Sequence, residues 1–178
     1  QMARIPYVPR EIDEPRDLID SILSRRNGEL LNLDRMLLNS PPFAKGWNSL
    51  LRQVRGKLSL PARVQELAIC AVAVLTDAAY EYHHHAPEFL RAGGTQEELE
   101  ALRILKDNNA QLDPFAANDR AILTLVREMT LFIHVSDTTF AAVRTALQDD
   151  QEMNELVGII ATYNMVSRYL VALQVDVE

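Results

Sequence analysis

One stretch of this chain constrains its fold more than any other: Pro61 to Gly94, PARVQELAICAVAVLTDAAYEYHHHAPEFLRAGG. Pro61 suits the first turn of a helix, where its missing N–H has no partner to lose. From Ala62 to Leu75 the run is apolar almost all round, the pattern of a helix buried on every side. Glu66 breaks that pattern. A carboxylate in such a helix must find a partner or hold a proton, because a lone buried charge is very costly. Arg63, one turn earlier, is the partner the local sequence offers. Thr76 and Asp77 are favoured capping residues, so the reading breaks the helix there and starts a second one running to Ala92. Gly93 and Gly94 end it.

The second helix carries an unusual density of titratable groups. Glu81, His83, His84, His85 and Glu88 fall within eight residues, and three of the four histidines of the protein are among them. Glu81 and His85 are four apart and share a face. If the two helices fold back on each other, Glu66 and His85 each lie ~13–15 Å from the turn at ~1.5 Å per residue, and the two meet. One unbroken helix would hold them ~28 Å apart by the same rise. The expectation is therefore a central antiparallel helix hairpin with Glu66, Glu81 and His85 converging.

Elsewhere helical spacing also dominates. A proline-punctuated arm, ARIPYVPREIDEP, is expected to wrap a surface or a neighbouring subunit. A first helix opens at Pro15 and ends at Gly28. A second, LLNLDRMLLNS, stops at Pro41–Pro42. A third follows, with Phe43, Trp47, Leu50, Leu51 and Val54 spaced for core packing. After the hairpin, Thr95 with Glu98 fits a capping box for a short helix. A polar linker spans about 106 to 119. A long helix follows from Asn118 through RAILTLVREMTLFI, then one capped by Ser136, and a last one from about Gln151 to Leu173. No alternating strand pattern is present. The fold class is all-α, one domain over 1–178, with an arm and helices over 1–57 and a core over 58–178.

Composition removes several function classes. Hydrophobic residues make up 48% of 178 residues, enough for a sizeable core. A net charge of −7 argues against nucleic acid as partner. No apolar run of ~20 residues suggests a membrane span, and no leader is expected at the start. One cysteine, Cys70, forbids an internal disulfide and suits the cytoplasm. Gln1 before Met2 reads as an expression remnant.

The motifs also carry a resemblance. The string YEYHHHAPEFLRAGGTQEELEAL and the C-terminal NELVGIIATYNMVSRYLVAL resemble the carboxymuconolactone decarboxylase family, whose other branch is the AhpD-like alkylhydroperoxidases. That family places a Glu early in one helix. A Cys-x-x-Cys follows twelve and fifteen residues later, then a His four residues on and a Gly eight beyond it. Counting back from Gly93, His85 takes the His place, Glu66 the Glu place, Glu81 the second-cysteine place and Ala78 the first. The C-terminal match rests on Glu155, Leu156, Tyr163, Asn164 and Arg168, and the likeness covers nearly the whole chain from about Asp34. It implies an AhpD-like helical fold, a homo-oligomer (trimer or hexamer) and a small-molecule substrate.

The reading that follows is a cofactor-free acid/base enzyme acting on a small organic acid or lactone by decarboxylation or isomerisation. Glu66, Glu81 and His85 would move the proton. A dithiol peroxidase cycle is impossible with a single cysteine. Two other readings compete: a peroxidase-related antioxidant protein using Cys70, and a non-catalytic oligomeric binder of small molecules. No metal is expected, since the spacing lacks a strong metal signature. If one bound, Glu81, His84 and His85 would be the ligands, with Glu88 and Glu66 nearby. His83 is expected in solvent. His84 and Tyr163 could serve either packing or the site, and no motif supports His134.

Overall fold

A computed structural model describes residues 2–108 and 110–178; Gln1 and Asn109 lie outside the described residues, and with them the reading of Gln1 as a remnant. Nine α-helices and one π-helical turn make up the described chain, with no strand among the described residues. The helices are α1 (Arg16–Arg25), α2 (Asn32–Leu37), α3 (Pro41–Gly56), α4 (Ala62–Leu75), α5 (Ala79–Arg91), α6 (Gln96–Leu102), α7 (Ala117–Arg127), α8 (Asp137–Ala146) and α9 (Asp150–Leu173). The chain divides into two compact units: one of residues 1–58 and 172–178, the other of residues 59–171.

In the first unit α3 packs against α1 and α2. The arm is held by its own chain. Arg4 donates to the carbonyls of Ala172 and Leu173, and the Tyr7 hydroxyl donates to Asp176 at 2.8 Å. Arg35 donates to the Val8 carbonyl and stands over the Tyr7 ring. Pro41 and Pro42 open α3 instead of merely stopping α2, since the first helical turn has no need of their N–H groups. Of the five apolar residues expected inside, Trp47, Leu51 and Val54 are buried, whereas Phe43 and Leu50 are about half exposed. They lie on a second apolar stripe of α3 that turns away from the unit's core.

The second unit is built around α4, which packs against α5, α6, α7 and the π-helical turn. Leu67 through Val72 are at most 1% exposed, which explains the all-round apolar composition. The break falls where expected, with different roles for its residues. The Thr76 hydroxyl donates back to the Val72 carbonyl at 2.7 Å, closing α4. Asp77 turns the chain at φ 54° and reaches Lys106. Ala78 takes the cap position of α5 with no side-chain bond. At the far end Gly93 adopts φ 104°, a conformation open to glycine. Gly94 lies so close to Phe89 that a Cβ would stand 2.2 Å from its ring. The Thr95–Glu98 capping box forms as read, with bonds of 3.1 and 2.9 Å.

Helical periodicity continues past Arg127, but α7 gives way to the π-helical turn at Glu128–Phe132, and Ile133 then takes φ 70°. Glu128 explains the change of course. Its carboxylate accepts from the Ser136 amide at 2.8 Å and from the Thr139 hydroxyl, tying the turn to the start of α8. The helix α9 buries Met153, Leu156, Ile159, Ile160, Tyr163, Val166, Ser167 and Leu170. By length and composition it could also cross a membrane, with a mean hydropathy of 1.4 over its most apolar window, 39% of which is buried. The sequence reading expected no such segment, having found no apolar run of ~20 residues.

Candidate active site

The hairpin of α4 and α5 brings together the three residues expected to meet. Glu66, Glu81 and His85 are 5%, 4% and 8% exposed. His85 Nδ1 lies 2.8 Å from Glu66 Oε2, within the range of a charge-assisted hydrogen bond. On the other side of the ring, Nε2 lies 3.2 Å from Glu81 Oε2. That oxygen has no aligned donor, so the second contact is an attraction of charges with the N–H direction left pointing elsewhere. One imidazole therefore stands between two buried carboxylates, firmly bonded to one and loosely paired with the other.

The balance of forces on His85 follows. Burial favours the neutral ring and is the largest single influence. The bond to Glu66, then the close carboxylate of Glu81, together outweigh it and raise the His85 pKa above its ordinary value. The two carboxylates thus favour the imidazolium over the neutral ring relative to a free histidine. Both ring nitrogens face carboxylates, so neither offers a free lone pair to a metal. Among the described residues no group of three or more His, Cys, Asp or Glu side chains is arranged to hold a metal ion.

Arg63 does not pair with Glu66, contrary to the sequence expectation. Its guanidinium bonds Glu98 on α6 and, at 2.9 and 3.1 Å, Asp119 on α7, with its charge 5.6 Å from the centre of the Phe89 ring. The fork shape of the guanidinium suits two carboxylates at once, and Arg63 thereby fixes α4 against α6 and α7. Glu66 instead bonds the histidine.

Tyr163, whose role the sequence left open, belongs to the site. Its ring meets the His85 ring edge to face at 5.3 Å and 82°. Its motif neighbours act one step away. Asn164 donates to the Thr130 hydroxyl at 3.0 Å and also accepts from Arg168, fastening α9 to the π-helical turn. The ring of His84 is 4.6 Å from that of Tyr80, and His83 and His134 are exposed. Glu88 pairs with Arg91 on the surface. Cys70 is fully buried. Burial first, then the charges of Glu66 and Glu81, push its thiol far above the ordinary range, so it is no ready source of thiolate.

Residues 41–107 match the model of the carboxymuconolactone decarboxylase family. A comparison with curated proteins found no match. Solved structures share the fold. A structure described as an alkylhydroperoxidase AhpD core, an uncharacterized peroxidase-related protein from Ralstonia eutropha, has a TM-score of 0.83 at 17% identity, covering 100% of this chain and 93% of that one. A peroxidase-related protein from Silicibacter sp. gives 0.77 at 16%, over 97% and 89%. The debrominase Bmp8 in complex with 2,3,4-tribromopyrrole gives 0.76 at 14%, over 99% and 94%.

Proposed function

We propose, from the match of residues 41–107 to the carboxymuconolactone decarboxylase model and from the AhpD-like fold, that this protein is a proton-transfer enzyme acting on a small organic acid or lactone without a cofactor. One observation supports this above the others: His85 is held between the buried carboxylates of Glu66 and Glu81. Glu66 acts as a positioning residue. Its bond to Nδ1 fixes the ring and favours its charged form, which leaves Nε2 as the working nitrogen. A substrate carbon brought up against both Nε2 and Glu81 would meet an acid and a base side by side.

In an isomerisation, Glu81 takes a proton from the carbon next to a carbonyl. The electrons of that C–H bond move into an enolate, and Nε2 returns a proton at the new position. In a decarboxylation, the C–C bond to the carboxylate breaks, carbon dioxide leaves, and Nε2 protonates the enolate carbon. Neither course needs an oxidant or a reductant.

A Cys70 peroxidase is the weaker reading, since the thiol is buried and kept protonated. The binder reading called for a Glu66 tied only to Arg63 and no cavity beside His85; the bond of Glu66 to His85 does not meet the first condition. We further propose a homo-oligomer, a trimer or hexamer, in the cytoplasm. The exposed apolar side chains of Leu131, Phe132, Ile133, Phe140 and Met165 suit burial against further copies.

The test is proton exchange. Small keto acids and lactones incubated with the protein in deuterium oxide should exchange hydrogen for deuterium at the carbon beside the carbonyl, or lose carbon dioxide. Glu81→Gln and His85→Ala should reduce the rate by about 10²–10⁴-fold. If both folded variants keep the full rate, the site is elsewhere.

A further inference from the structure

The first unit holds a cleft that the chemistry above does not use. It opens between α1 and α3 and has a volume of about 440 Å³, within the range of small-molecule sites. Pro15, Leu18, Pro41 and Pro42 supply apolar walls. Ser21 and Asn48 supply the polar end, and the charged Lys45 and Asp17 complete the lining.

Hydrogen-bond accounting at the polar end shows what is missing. Asn48 is 4% exposed. Its Oδ1 accepts from Arg25 Nε at 2.9 Å, and its Nδ2 donates to Ser21 Oγ at 3.0 Å. Ser21 Oγ also accepts from Arg52 Nη2 at 3.1 Å. A hydroxyl has two lone pairs and one hydrogen, and an amide nitrogen has two hydrogens. Both lone pairs of Ser21 are thus engaged, while its hydrogen and the second Asn48 hydrogen have no acceptor among the described residues. Each group is backed by a guanidinium, which strengthens it as a donor. Lys45 has no ion pair among the described residues and adds a third donor.

The geometry points to a binding site for a small organic carboxylate with an apolar body, its oxygens taken by Ser21, Asn48 and Lys45 and its body by the proline-lined walls. Asp17 on the same lining opposes a second negative charge, so the site selects monoanions. The site is independent of the proton-transfer reading, and its failure would leave Glu66 and His85 untouched.

The experiment uses the full chain, isotope-labelled, titrated with benzoate, its neutral counterpart benzamide and the cation benzylammonium, and followed by NMR. Benzoate should shift the Asn48 side-chain amide signals and the backbone signals of Ser21 and Lys45, saturably and about tenfold more tightly than benzamide, the difference expected of one charge-assisted hydrogen bond. Benzylammonium should leave them unmoved. Asn48→Asp, which replaces a donor by an acceptor, should abolish benzoate binding, and Asp17→Asn should tighten it. Lys45 is exposed, so Lys45→Glu keeps the fold and should also abolish binding. Equal binding of benzoate and benzamide, shifts confined to other residues, or unchanged affinity in the Lys45→Glu variant would overturn the proposal.

Discussion

Replacing Glu66 by Gln should change stability in a way that depends on pH. The amide keeps the size of the side chain and an oxygen able to accept from Nδ1–H of His85, but it removes one of the two charges that favour the imidazolium. The folded-state pKa of His85 is raised above the ~6.5 of a free histidine. Such a group adds stability that is fully present below about pH 6.5 and is lost as the pH rises through the folded value. A hydrogen bond to a charged group contributes about 1.5–3 kcal/mol. With Glu66 and His85 both buried and 2.8 Å apart, little discount for solvent applies. At pH 6 the variant should therefore unfold with a Tm lower by about 3–12 °C, taking about 2–4 °C per kcal/mol for a chain of this size. Towards pH 10 the wild-type ring loses its charge and the gap should close. Thermal unfolding followed by far-ultraviolet circular dichroism between pH 6 and pH 10 measures both ends. A gap of constant size across that range, or no gap at pH 6, refutes the reasoning.

Other consequences follow from neighbouring features. Arg63→Ala leaves the carboxylates of Glu98 and Asp119 without their shared cation; it should cost about 2–4 kcal/mol in urea unfolding, allowing for partial exposure of the arginine, while the His85 titration stays unchanged. Gly94→Ala forces a Cβ into the Phe89 ring and should destabilise by about 1–3 kcal/mol, whereas Gly46→Ala in α3, where a Cβ meets open space, should stabilise by about 0.5–1 kcal/mol. Cys70 should react with a thiol reagent only as fast as the protein unfolds, and Cys70→Ser should leave any peroxide consumption unchanged; fast native-state labelling would contradict the burial argument.

The sequence made the hairpin and its convergence legible because their determinants are local. An apolar run on every face marked α4, the Thr76–Asp77 break marked the turn, and the distance of Glu66 and His85 from that turn placed them opposite each other. Arg63 was assigned wrongly for the converse reason. Its true partners, Glu98 and Asp119, are 35 and 56 residues away, while Glu66 is its neighbour along the helix. The π-helical turn left no trace in the apolar pattern, which runs on unbroken to Ile133, since the bonds of Glu128 that redirect the chain come from α8. Phe43 and Leu50 share helical spacing with Trp47 and Leu51, and spacing alone does not say which of two apolar stripes a core will cover. The role of Tyr163 needed the position of α9, which only tertiary packing supplies.

The most direct test of the account is the titration of His85 itself, read from its imidazole carbon and nitrogen resonances in the wild-type protein. The account predicts a ring that titrates above the ordinary histidine range. A His85 that titrates at or below the ordinary histidine range would contradict the claim that two buried carboxylates favour its charged form.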